Sequence, residues 1–377
     1  MDKSAALELR MRSLLLRGSP GRVAAIVEWF GAMQAQDVNS GLWSLGARLP
    51  GAKIDDINAA LERREAIRTW PMRGTVHWVP PADARWMLEL MGVRSLVGSE
   101  RRRQQIGLSA ADADRAVELL GSALAGGKRL TRAECLRTLT EGGIAVGGQI
   151  GYHLLWYACQ QGVAAIAPHV GKEQTFVLLD EWAPEPRRPD RDEALGIIAL
   201  RYFRSHGPTT LKDFAGWTGL TMTDCRTGIA VAGKALAPVD VDGVEMLMAA
   251  EPPAVGGAAA DSVAVGGVAS AAAGSDGGGW LALPGFDEYL LGYKDRSMMG
   301  TPEQLAAVIP GGNGVFQSTL VRGGRVMATW KRTIRRNGVT VTVQPLAKFT
   351  SRDRHNAEAA LQPFADYLGL PLTVKNP

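Results

Sequence analysis

With 377 residues, 46% of them hydrophobic and 21% charged, the chain is long enough for several packed units of ordinary domain size. No stretch approaches the roughly 20 uninterrupted apolar residues of a membrane span, and Met1-Asp2-Lys3 is not followed by a secretory hydrophobic core, so a cytoplasmic address is expected. The formal net charge of +4 is modest but unevenly spread, and Cys135, Cys159 and Cys225 stand far apart without CxxC or Cys/His pairing, which argues for buried thiols over a disulfide framework or a zinc site.

Taken in order, residues 7–16 read as a helix. Ser19-Pro20 predicts an N-cap followed by proline at the first helical position, and the helix it opens runs through Ile26 and Phe30 in an apolar stretch over 23–33. Gln34-Ala35-Gln36 closes that stretch. Ile54-Asp55-Asp56-Ile57 starts another helix, and 66–70 and 75–79 read as extended. Helices followed by a hairpin describe a winged helix, here over 1–80. A second unit, 81–183, repeats the order with helices over 81–104, 110–124 and 148–161, a capping box Thr131-x-x-Glu134, and strands over 163–167 and 175–179. Pro184, Pro186 and Pro189 mark a linker. The third unit, 190–250, has a helix over 192–205, a short helix opened by Gly207-Pro208-Thr209-Thr210, a turn at Gly219, a candidate recognition helix over 221–231, and a hairpin around Asp242-Gly243.

From 251 to 279 the composition turns to Ala, Gly and Ser, with too little large apolar surface to offset chain entropy, so a flexible loop is expected. Order resumes at Trp280. The remainder, 280–377, reads as a small α+β unit: strands over 315–322, 326–333 and 339–343 and a last helix over 353–368. The fold class is therefore mainly α with α+β parts, with tandem winged-helix units and a β-rich C-terminal subdomain.

Two features carry chemistry. Between Val315 and His355 nine Lys/Arg (Arg322, Arg325, Lys331, Arg332, Arg335, Arg336, Lys348, Arg352, Arg354) face one acid, Asp353, and Arg101-Arg102-Arg103 form a second basic run. Such runs are either solvated faces or phosphate contacts. Gln34 and Gln36 are the second feature, because amides beside an apolar surface are costly unless hydrogen-bonded. They either cap the helix end through backbone groups or serve a reaction. On a regular helix, positions i and i+2 do not face one another, so a shared role requires the helix to end or distort near Gln34. His77 sits in an apolar extended run as a core histidine or a neighbour of the chemistry. Arg73, Lys294 and Arg296 are phosphate contacts or partners of Asp295 and Glu288, and Tyr289 and Tyr293 fit a core better than a stacking platform.

Several separated motifs resemble the AlkZ-like winged-helix DNA glycosylases. Phe30-Gly31-Ala32-Met33-Gln34-Ala35-Gln36 is similar to the family's Gln-hydrophobic-Gln motif, Arg73-Gly74-Thr75-Val76-His77 to the segment after it, Leu283 to Ser297 (LPGFDEYLLGYKDRS) to its C-terminal signature, and Val326 to Arg332, with Trp330, to the strand that follows. The Ala/Gly-rich segment is longer than the family needs.

The resemblance implies a C-shaped, monomeric enzyme that acts on double-stranded DNA containing alkylated or crosslinked guanine and needs no cofactor or metal. It implies catalytic roles for Gln34 and Gln36, His77 in support, and DNA contacts from Arg73, Lys294, Arg296, Arg322, Arg325, Lys331, Arg332 and Arg335. An N7-alkylated purine is already positively charged and leaves readily, so the enzyme's tasks are to stabilise an oxocarbenium-like sugar and to hold a water at C1′. A related subfamily has Asp at the second position. A crosslinked guanine is tethered to both strands and cannot rotate fully into a pocket. The hairpin over 320–326, tipped by Gly323-Gly324, is then a candidate wedge or an ordinary sheet turn. The competing reading is a winged-helix transcription regulator that binds DNA without chemistry; a family member that shelters lesions without excising them is the third.

Overall fold

Asp2 starts the first helix by accepting a hydrogen bond from the Ala5 amide, and α1 runs over Lys3–Ser13. The computed structural model describes residues 1–251, 279–312 and 314–376, so nearly all of the Ala/Gly-rich segment expected as a flexible loop lies outside the described residues. Helix α2 covers Val23–Phe30 and begins later than Ser19-Pro20 predicts. The Ser19 hydroxyl instead accepts from the Gly21 amide in a preceding turn, and the Ala24 amide at the helix start donates to Glu65 from a distant part of the chain.

After α2 come β1 (Met33–Gln34), α3 (Val38–Gly46), α4 (Ile54–Glu62), β2 (Ile67–Met72) and β3 (Thr75–Val79). The helix expected over 81–104 is broken into α5 (Ala84–Met87), a wider π-type turn at Leu88–Gly92, α6 (Val93–Leu96) and α7 (Ser99–Ile106). Next are α8 (Ala110–Leu124), β4 (Arg129–Thr131), α9 (Arg132–Glu141) with its Thr131/Glu134 capping box, α10 (Ile150–Gln160), β5 (Ala164–Val170), β6 (Glu173–Leu178) and α11 (Leu179–Trp182).

The strands of the first two expected units form one sheet in the order β1-β3-β2-β5-β6-β4. The seam is the antiparallel pairing of Arg68 with Ile166 between β2 and β5. Every residue of β2 is buried, the polar Arg68 and Thr69 included.

The third unit follows the expected order: α12 (Arg191–His206), α13 (Leu211–Thr218), a left-handed Gly219, α14 (Met222–Ala232), then β7 (Leu236–Val241) and β8 (Val244–Ala249) around Asp242-Gly243, both at positive φ. A methyl group on Gly228 would lie 2.4 Å from the Leu195 carbonyl oxygen, so this glycine lets α14 lie directly on α12. The C-terminal part contains β9 (Trp280–Leu283), α15 (Glu288–Leu291), α16 (Pro302–Val308), β10 (Ser318–Arg322), β11 (Arg325–Arg335), β12 (Gly338–Pro345), α17 (Ser351–Leu368) and β13 (Leu372–Lys375). Its sheet, ordered β13-β12-β11-β10-β9, gains two edge strands beyond those expected, and the last pairing, β12 with β13, is parallel. The Phe364 ring on α17 lies 5.2 Å from Trp330 and 5.1 Å from Trp43, so one aromatic contact joins the C-terminal sheet to α3. Among the described residues, all three cysteines are free and buried, and no helix is long and apolar enough to cross a membrane.

Candidate active site

The expected helical run to Met33 stops at Phe30. Gly31 ends it at φ +78°, and a side chain there would meet Arg201 of α12 at 2.9 Å, so both the conformation and the space call for glycine. The chain then turns extended and pairs Met33 with Trp78 and Gln34 with His77. The strand ends at Gln34 and the chain bends at Gln36, so the two amides lie where the helix has already stopped and are brought together by a turn.

Both amides bond to backbone, though not to the end of α2. The Gln36 amide N–H donates to the Gln34 Oε1 at 2.8 Å, and the Val76 N–H donates to the Gln36 Oε1 at 3.0 Å. Because only an oxygen can accept from N–H, both side-chain amides are fixed in orientation. Each oxygen keeps a second lone pair, and neither Nε2 donates to another described residue. Gln34 is buried and Gln36 exposed, so the pair forms a step from floor to rim. Arg68 supports this strand from below, its Nη2 donating to the Ala35 carbonyl at 3.0 Å, and burial pulls its guanidinium down to about 10.

The C-terminal signature lies under the motif. Glu288, 1% exposed, accepts the Gln34 N–H at 2.9 Å on one oxygen, and on the other the Trp217 indole N–H at 2.9 Å with His206 Nε2 at 3.3 Å. Burial opposes its charge, but the donors from His206 and Gln34 outweigh it and hold the carboxyl down to about 2. The neighbouring Asp287 forms two parallel bonds with buried Arg48, at 2.8 and 3.0 Å, and accepts the Ser44 hydroxyl at 2.7 Å. Tyr289 donates to the Gly324 carbonyl at 2.6 Å and Tyr293 to the His206 carbonyl at 2.8 Å; both are core residues, as expected.

His77 is fully buried, with Nδ1 2.9 Å from the Thr75 carbonyl and Nε2 without a partner among the described residues. Burial and the nearby Arg73 charge lower its pKa to about 4. The native protein therefore keeps this ring neutral where the unfolded chain, near 6.5, takes up a proton. Stability is complete above pH 6.5 and falls as pH drops toward 4, by on the order of 2 kcal/mol between pH 7 and pH 5. Urea unfolding of His77→Gln at the two pH values should show a flatter dependence; equal slopes would exclude His77 as the source.

The expected DNA-contacting cations divide into groups. Arg332 on β11 reaches the motif, with Nη2 3.8 Å from Asp37, the residue after Gln36 and the N-cap of α3. Lys331 and Arg335 are exposed on the same strand. Arg73 takes the tip of the β2–β3 hairpin at φ +54° and interacts electrostatically with both Glu288 and His77. Arg296 feels the Arg73 charge, donates to the Leu290 carbonyl at 2.6 Å and stacks over Phe316; Lys294 is exposed nearby. Arg322 and Arg325 lie apart. At about 3.3 Å per residue, β11 carries Arg325 roughly 23 Å from Arg332. Arg322 is paired with Asp353 at 2.7 Å. The Gly323-Gly324 tip offered as a wedge is docked: a side chain on Gly324 would meet Leu7 of α1 at 3.1 Å, and its carbonyl is held by Tyr289. Reading from sequence missed Asp37, Arg68 and the engagement of Glu288 with Gln34. Asp37 adjoins the motif and was available; the other two depend on distant partners.

An orientation-fixed amide pair with Arg73 on a hairpin and Arg332 on β11 near it suits an enzyme that processes nucleic acid. The model of the family described as "DNA glycosylase AlkZ-like" matches residues 27–367, and the chain belongs to that family of DNA glycosylases. It is similar to the interstrand DNA cross-link repair glycosylase of Streptomyces sahachiroi, with 26% identity over 318 residues, 79% of each protein. The solved structure of the Streptomyces sahachiroi DNA glycosylase AlkZ shares its fold, with a TM-score of 0.77 at 22% identity over the whole of both chains. The enzyme class sets aside the regulator alternative, and α14, expected to read bases, carries Arg226 as its one basic residue.

Proposed function

We propose that the chain hydrolyses the N-glycosidic bond of N7-alkylated purines in double-stranded DNA and unhooks interstrand crosslinks at such sites, acting as a monomer whose three winged-helix units enclose the duplex in a C. The observation that carries this reading is that adjoining side-chain amides, Gln34 and Gln36, are both fixed in orientation by backbone N–H groups. A water seated there donates to a free lone pair of a Gln oxygen and accepts from an Nε2–H, which aims its own lone pair at C1′. A neutral amide is a weak base. It suffices because the cationic purine leaves without protonation and the water meets an electron-poor sugar. The Glu288 carboxylate fixes the Gln34 backbone and, with Asp37, adds negative charge near a cationic transition state. His77 and Arg68 act on the strand and not on substrate.

Gln36 stands exposed above the buried Gln34, an arrangement that suits a lesion tethered to both strands. The wedge role moves to the β11–β12 turn, where Arg335 and Arg336 are exposed and Ile334 is 48% exposed, on the strand that brings Arg332 to Asp37. Arg335→Glu with Arg336→Glu should weaken duplex binding about tenfold or more and reduce the slope of log affinity against log salt by about 2. An unchanged slope would remove this turn from the interface. The function itself is tested by incubating the protein with duplexes carrying N7-methylguanine or a guanine-guanine crosslink, cleaving with alkali and measuring strand breaks. Breaks at the lesion are expected; none at either lesion would overturn the assignment.

A further inference from the structure

At the Arg73-Gly74 tip, residues of α6, α7 and α10 line a recess of about 490 Å³. That is the size of a small-ligand site. Its charged lining residues are Arg73 and Arg102, with no acid among them. Tyr152 and Trp156, one helical turn apart on α10, form an aromatic wall; Tyr152 is 47% exposed. Between them stands His153, 6% exposed, whose Nε2 is buried in the wall without a partner among the described residues and whose ring lies 5.1 Å from Trp156. Gln149 adds an amide one turn earlier. A buried polar nitrogen left unpaired in a native protein calls for a partner. Burial and the neighbouring Arg103 and Arg102 keep the ring neutral at pH 7, so Nε2 serves as an acceptor or a donor according to its tautomer.

Cations without acids select an anion, and an aromatic wall selects a flat apolar face. One nucleotide presents both. We propose that this recess holds a single unpaired nucleotide of the bound DNA, with its base stacked on Trp156 and Tyr152, a base-edge hydrogen bond to His153, and its phosphate on Arg102 and Arg73. Arg73 then borders two sites at once, since its guanidinium also interacts with Glu288 beneath Gln34. The strained left-handed backbone at Arg73 holds the residue at this junction. The inference rests on DNA as the substrate and not on the roles given to Gln34 and Gln36.

The test uses the full chain with three duplexes: one fully paired, one with a single bulged 2-aminopurine, and one with an abasic bulge. Affinity is read by anisotropy of a label at the duplex end, and stacking by 2-aminopurine fluorescence. The base-bearing bulge should bind about tenfold tighter than the abasic one, within the range of one stacked base, with quenching on binding. Trp156→Ala should remove both the gain and the quenching, whereas Trp156→Phe keeps most of each. Arg102→Glu should weaken all three duplexes. Should Trp156→Ala fail to fold, Tyr152→Ala at an exposed position carries the same test with a partial loss. Equal affinity for the two bulges, or quenching that survives Trp156→Ala and Tyr152→Ala, overturns the proposal. Gln34→Ala and Gln36→Ala should leave the quenching intact, so failure here and failure of the catalytic assignment are separable.

Discussion

Gln34→Ala and Gln36→Ala should each lower single-turnover excision of N7-methylguanine by about 10² to 10³-fold, the usual cost of removing one preorganised hydrogen-bonding group from a transition state. Duplex affinity should stay within about twofold, because the amides are neutral and binding is governed by phosphate contacts. The two variants are not equivalent structurally. Gln34→Ala releases the Gln36 amide, and Gln36→Ala leaves the Val76 amide without its acceptor. Each loses one hydrogen bond worth about 1 kcal/mol, so thermal unfolding should shift only slightly. Gln36→Glu separates orientation from charge, since a carboxylate still accepts from Val76 but cannot donate. If the donating Nε2–H matters, this variant remains impaired. Unchanged excision in both alanine variants would end the water-positioning role.

Asp287→Ala should be the most damaging substitution for stability, costing about 3 to 5 kcal/mol. Arg48 and Asp287 are 0% and 3% exposed and meet through two parallel hydrogen bonds, so deleting the carboxylate strands a guanidinium in the interior. The carbonyls of Leu14 and Ser44 also accept from Arg48 but do not neutralise it. Asp287 in addition caps α15 by accepting the Tyr289 amide, and losing that bond loosens the segment that presents Glu288 to Gln34. Urea unfolding measures the effect. Arg48→Met combined with Asp287→Leu should recover much of the loss, because an apolar pair removes the stranded charge. A shift below about 1 kcal/mol for Asp287→Ala would mean that water reaches Arg48.

Much of this was legible in the chain. The Gln34/Gln36 pair announced itself as amides in an apolar setting, and Asp242-Gly243 and Thr131/Glu134 marked a hairpin and a helix start by local chemistry alone. The end of α2 was not legible. Ala32 and Met33 are both buried, Met33 as the first strand residue, and a short apolar run has the same composition whether it continues a helix or enters a sheet. The pairing of Arg68 with Ile166, the bond from Gln34 to Glu288 and the Arg48–Asp287 pair join residues far apart in sequence, so no window of neighbours contains them. Arg322 and Arg325 fall in the same charge cluster as Arg332 in sequence, but Arg325 lies at the other end of β11 with Arg322 paired beside it on β10, a distance that composition does not encode.

The sheet that runs unbroken from β1 to β4 has a mechanical consequence. With Arg68 of β2 paired to Ile166 of β5, one sheet ties the Gln strand to the part of the chain that carries Arg102 and Trp156, which restrains their separation. A duplex touching both must therefore supply the bending itself. Lesions flanked by easily kinked pyrimidine-purine steps should be processed faster than the same lesions within a stiff A-tract, with the local compliance of the DNA setting the rate.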